Sequence, residues 1–197
     1  MIPSLAEIVS SVGGGARLLC FKADGLKPLR RDEAAPSRSF FAIVLTLPAF
    51  LFLLWGLRRH LAMEEEGLHF YALWLLTYVI SWLAFPAILL AIGRQLPLRR
   101  SIPFFIQARN WMLVPGVYAS LADVWLADSR LLPADLGGLL DLAVEIWILA
   151  AEWWLLRRIL SVGAGQTVLL ILIDFMLSYA LTAWAIGRTM LPLDAGS

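Results

Sequence analysis

Five runs of mostly apolar residues, near positions 40–57, 70–93, 104–126, 139–156 and 167–187, occupy most of this 197-residue chain. Crossing about 30 Å of hydrocarbon takes roughly 20 such residues in a helix, so each run is long enough to span a bilayer. Composition points the same way: 60% of residues are hydrophobic, 16% are charged and the mean hydropathy is +0.78. A domain with a fully solvated surface is far more polar. The expected fold is therefore all-α, a polytopic bundle of five transmembrane helices. Three parts follow: a basic, amphipathic arm over 1–39, the bundle over 40–190 and a short tail over 191–197.

Within the arm, Ile2, Leu5, Ile8, Val9, Val12, Ala16 and Leu19 recur at helical spacing with Ser4, Glu7, Ser10 and Ser11 between them. That pattern predicts an interfacial helix lying on the membrane surface. Gly13, Gly14 and Gly15 weaken it, which leaves a loose arm as the alternative. No cleavable signal peptide is expected, because Glu7 and the three glycines stand where an apolar segment would be needed. The single cysteine, Cys20, forms no internal disulfide, and a formal charge of +1 provides no basic field for nucleic acid.

Orientation follows from the cations, since short loops rich in Lys and Arg stay in the cytoplasm. Arg17, Lys22, Lys27, Arg30, Arg31, Arg38, Arg94, Arg99, Arg100, Arg109, Arg157 and Arg158 fall on one side of the five-run layout, and only Arg58, Arg59, Arg130 and Arg188 on the other. The expected placement is the bacterial inner membrane, with the N-terminus cytoplasmic and the C-terminus periplasmic. Trp55, Trp74, Trp125 and Trp184 then fall near the outer interface and Trp111, Trp153 and Trp154 near the inner one, as an aromatic belt. Pro48, Pro86 and Pro115 lie inside spans and shape them.

The stretch "DLAVEIWILAAEWWLLRR" places Asp141, Glu145 and Glu152 in an apolar run. At 100° per residue the three fall within about 40° of one another, forming one acidic stripe. Lipid will not accept it, because an ionised carboxylate at mid-bilayer costs about 2.5 kcal/mol or more. The stripe must face the bundle, a wet cavity or a partner protein. With Leu156 as the inner end of its span, Glu152 lies about 6 Å deep, Arg109 about 7 Å, Asp174 about 12 Å and Glu145 about 16 Å. Arg109 is thus the proposed ion-pair partner of Glu152, and Glu145 and Asp174 are close enough in depth to share one site. Pairing that pins helix register, proton or ion handling, and contact with a partner subunit all remain open for these acids.

A second cluster, "RRHLAMEEEGLHF", brings His60, Glu64, Glu65 and His69 together as a candidate metal site, although a charged outer loop accounts for the glutamates equally well. No phosphate-binding loop, nucleophile elbow or zincin motif occurs, and neither catalysis nor a cofactor is expected. In Ser178, Thr182, Ala183 and Gly187, small residues recur at four-residue spacing, which suits close approach of another helix, in this chain or a second one.

The amphipathic arm, followed by "ARLLCFKADGLKPLRRDEAAPSRSFFAIVLTLPAFLFLLW" and five spans, resembles the small bacterial members of the Yip-type (Ypt-interacting) five-span membrane protein family. The resemblance covers residues 16–55 by sequence character and most of the chain by layout. It implies an integral membrane protein of structural or partner-binding type, an organiser or accessory subunit whose partners are the lipid bilayer and other membrane subunits or itself. The alternative expectation is a proton- or ion-coupled transport component that uses the buried acids.

Overall fold

A computed structural model describes residues 2–60, 68–93, 101–128 and 133–190. Among these the chain is all-α, with six long helices and two short helical turns: α1 (Leu5–Leu19), a 3-10 turn (Ala23–Leu26), α2 (Ala35–Ser39), α3 (Ala42–His60), α4 (Leu68–Gly93), α5 (Ile102–Asp128), α6 (Ala134–Leu160) and α7 (Ala164–Met190). Three stretches are long and apolar enough to cross a membrane, namely Ala35–Arg58, Leu68–Gly93 and Ala164–Thr189. Helices α5 and α6, 27 residues each, reach about 40 Å at 1.5 Å per residue but interrupt their apolar surface with charge.

Helix α5 is the hub, touching α1, α2, α3, α4 and α6, while α7 leans on α4 and α6. The main core gathers where α1 meets the bundle: Leu18, Phe85, Phe105, Trp111, Met112, Leu155 and Leu156 are all essentially buried. A smaller cluster of Leu54, Phe70, Trp74 and Ala185 ties α3, α4 and α7 together. Between α3 and α4 the Tyr78 hydroxyl donates to the Ile43 carbonyl at 2.7 Å, with the Thr46 hydroxyl 2.7 Å away and the Phe50 ring stacked at 4.3 Å.

The arm departs from expectation. Helix α1 begins where the Ser4 hydroxyl accepts the Glu7 amide proton at 3.3 Å, a side-chain cap for one of the unpaired first-turn donors. Its buried face is Ser11, Gly14, Gly15, Leu18 and Leu19, with Ile8 and Val12 packed partly against the core beside them. A Cβ on Gly15 would meet the Trp111 carbonyl, and one on Gly14 would lie 2.7 Å from the Gly25 carbonyl oxygen. The glycines that weaken an isolated helix are what let this one lie directly on α5 and on its own following turn. Ile2, Leu5 and Val9 point outward and are more than half exposed, as an apolar stripe on the opposite side. Arg38 anchors the arm, donating to Glu7 at 2.8 Å and to Asp32 at 2.6 Å. That hydrogen bond from Arg38 is the main reason the Asp32 carboxyl sits below its usual range.

The aromatic belt also needs correction. Trp55, Trp125 and Trp184 are exposed, but Trp74 and Trp111 are turned inward, 6% and 1% exposed, and serve as packing residues. Helix α6 ends where Ser161 adopts the left-handed conformation, at φ 54°, which halts the helix before α7 begins.

Candidate functional site

Two polar stripes face each other along α5 and α6. On α5, Ser120 and Asp123 lie 11 and 14 residues beyond Arg109, which at 100° per residue places all three within about 60° of one another. The acidic stripe of α6 looks at them, and α7 closes one flank. Together Arg109, Ser120, Asp123, Asp141, Glu145, Glu152, Asp174 and Ser178 line a groove of about 520 Å³ whose apolar walls include Leu113, Val144, Ile148 and Phe175. The groove follows the helix axes, since Asp141 and Glu152 are about 16 Å apart along α6.

Its two ends differ. At one end Arg109, 6% exposed, donates from Nε to Glu152 at 2.6 Å and from Nη2 to Asp174 at 2.5 Å, so a single guanidinium clamps α5 to both α6 and α7. The Phe85 ring supports it from α4 with its centroid 4.9 Å from the guanidinium carbon. At the other end Asp123, 4% exposed, faces Asp141 across the groove, and its buried Oδ1 has no hydrogen-bond partner. Asp141 and Glu145 are exposed on the α6 wall. Among the described residues no cation pairs with Asp123, Asp141 or Glu145.

The structure thus brings Arg109 and Glu152 together and adds Asp174 to them. Glu145 and Asp174 line the same groove, but the partner of Asp174 is the Arg109 guanidinium rather than a second carboxyl. The expected sharing of a site by these two acids is replaced because a bidentate guanidinium satisfies two carboxylates at once. Asn110, a conceivable partner for the acids, instead donates to Ser39 at 3.0 Å and so joins α5 to α2. Asp123 is the residue that sequence reading passed over. Its signal was present in the 14-residue spacing from Arg109, four helical turns along one face.

Of the candidate metal residues, Glu64 and Glu65 lie outside the described residues, and the His60 side chain is likewise not described. His69 is exposed at the start of α4. No group of three or more His, Cys, Asp or Glu suited to a metal ion occurs among the described residues. The small residues of α7, Ser178, Thr182, Ala183 and Gly187, are exposed, Ser178 at the groove and Gly187 where a Cβ would meet nothing within 4 Å. A search against protein-family models, curated proteins and solved structures returns no match for this chain.

Proposed function

We propose that this chain is a five-span integral membrane protein of partner-binding, non-catalytic type, in which α3 to α7 cross the bilayer and the α5–α6–α7 groove receives a basic transmembrane segment of another subunit. The observation that carries this reading is the charge of the groove: five carboxylates to one guanidinium on a surface that opens between α6 and α7. Lipid tails cannot solvate that surface, whereas a Lys or Arg on an entering helix would neutralise it. The flanks suit such a helix. Ile146, Phe175, Met176 and Tyr179 are exposed apolar residues, and the small-residue face of α7 permits close approach beside them. The Yip-type character of residues 16–55 agrees with a role in organising other membrane components.

The test has two arms. A reporter inserted near Gly163 should read as cytoplasmic and one fused after Ser197 as periplasmic, as the cation asymmetry requires; opposite readings overturn the five-span arrangement. A photo-crosslinker at Phe175 in cells should capture a discrete polypeptide whose membrane segment carries a Lys or Arg, and Glu145→Lys should abolish the capture. A crosslinker at Leu83, exposed on α4, should capture lipid alone. Lipid adducts alone at both positions would overturn the docking role.

A second reading, coupling to protons or cations, is favoured by one feature, the buried and unpartnered Asp123 oxygen opposite Asp141. Cation or proton flux in proteoliposomes containing only this chain, lost in Asp123→Asn, would establish that reading in place of the first.

A further inference from the structure

A cavity of about 710 Å³ lies away from the acidic groove, where three chain segments reach one level: the start of the Ala35–Arg58 span, the start of α5 and the end of α6. Gly93, at the end of α4, comes so close to Ile102 that a Cβ there would collide with its side chain, so the start of α5 is level with the end of an apolar span. The cavity therefore opens at the boundary between hydrocarbon and headgroups.

Its lining carries both signs of charge. Arg31 and Arg158 supply two guanidinium groups, and Asp32 and Glu33 supply two carboxylates. Arg31 is already positioned, its guanidinium carbon 4.8 Å from the Phe104 ring centroid. The Asp32 carboxylate is taken up by Arg38, which leaves Glu33 as the acid open to a ligand. Gln107, 2% exposed, also lines the cavity, and its amide makes no hydrogen bond among the described residues. Ser101 and Phe104 bring the first turn of α5 to the wall, with its unpaired backbone donors. Leu26, Pro103, Phe104 and Ile159 give the cavity an apolar side.

We propose that this cavity binds the headgroup of a zwitterionic aminophospholipid. The phosphate is held by Arg31, Arg158 and the Gln107 amide in the second turn of α5, and the primary ammonium faces Glu33. Charge complementarity selects this ligand class. Two guanidinium groups and the one carboxylate that Arg38 does not take up, Glu33, match a headgroup that bears one phosphate and one ammonium, and the interfacial level matches a molecule whose acyl chains continue into the bilayer. Arginine suits the phosphate because its planar donors engage two oxygens together. The site does not depend on the partner-binding reading, since it shares no lining residue with the acidic groove.

The test uses the full chain, delipidated in mild detergent and titrated with lipid under native mass spectrometry. One phosphatidylethanolamine should be retained per chain, about ten-fold more tightly than phosphatidylcholine, whose quaternary ammonium has no N–H to donate to Glu33. Arg158→Gln, at an exposed position, should weaken retention about ten-fold, the loss of one charge-assisted hydrogen bond. Gln107→Leu, which keeps the shape of the wall, should also reduce it. Equal retention of the two lipids overturns the proposal, as does unchanged retention in both Arg31→Gln and Arg158→Gln. Displacement of the lipid by soluble phosphoethanolamine at the same concentration would assign the cavity to a water-soluble phosphate and overturn the lipid source.

Discussion

The two ends of α5 carry buried charges of opposite sign and treat them in opposite ways. Near its start, Arg109 is enclosed by the main core and has two carboxylate partners on two helices. Some 14 residues further on, Asp123 exposes as little surface, and its Oδ1 has no hydrogen-bond partner. The difference lies in what surrounds each group. Around Arg109, α4, α6 and α7 converge, and its Nε and Nη2 each find a carboxylate. Around Asp123 the bundle opens, and the charged groups nearest it on the wall, Asp141 and Glu145, are further acids. A buried pair completed within the chain reads as a structural clamp. A buried carboxylate left incomplete reads as a place where something else supplies the positive charge.

The sharpest way to break this comparison is to remove the Arg109 charge. Arg109→Gln strands Glu152 and Asp174 together and should destabilise the protein by about 3–5 kcal/mol. Glu152→Gln leaves Arg109 with Asp174 and should cost clearly less. Thermal unfolding in detergent checks the order, and equal losses would mean that Arg109 does not act as a shared clamp. The next effect in size belongs to the arm. Gly15→Ala drives a methyl group into the Trp111 carbonyl and should cost about 1–3 kcal/mol. Gly13→Ala, at a helical position with nothing within 4 Å, should instead stabilise by about 0.5–1 kcal/mol. Melting curves of the two variants should shift in opposite directions; shifts of the same sign would separate α1 from the α5 surface.

Smaller still is the change expected in the open half. Asp123→Asn removes an uncompensated carboxylate and should leave the isolated chain as stable or more stable, by up to about 1 kcal/mol. Glu145→Gln, at an exposed site without a paired cation, should leave folding nearly unchanged. A loss on the scale of Arg109→Gln for either variant would erase the contrast between the two ends. The smallest effect concerns Asp32. Because Arg38 lowers its carboxyl in the folded state, its contribution to stability is complete above the ordinary aspartate value near pH 4 and fades as pH falls through the lowered folded value. Acid titration of Asp32→Asn should therefore converge on wild type only at the acid end, where the wild-type carboxyl is protonated too. A difference that grows on acidification would contradict the Arg38 link.

Residue counting was enough to put Arg109 and Glu152 at one level, because rise per residue in a helix is nearly constant and both lie similarly far inside the facing ends of α5 and α6. It was not enough to choose between Glu145 and Arg109 for Asp174. That choice depends on how α7 is rotated about its axis, which no spacing within α7 specifies. The arm shows the same boundary from the other side. Its helical period was legible, and so was the presence of an apolar stripe, but which face lies inward was not. A sequence scale counts glycine as a poor helix former, and only a neighbouring backbone can turn a missing side chain into a contact.

What the sequence determined by itself is the all-helical architecture and its affinity for a bilayer, because both follow from local apolar runs whose length and period are set by helix geometry and membrane thickness. The tertiary structure decided which charges meet, which tryptophans turn inward, and that Asp123 Oδ1 is left without a hydrogen-bond partner. Those outcomes depend on the rotation and convergence of helices far apart in the chain, and no local property of the chain encodes them.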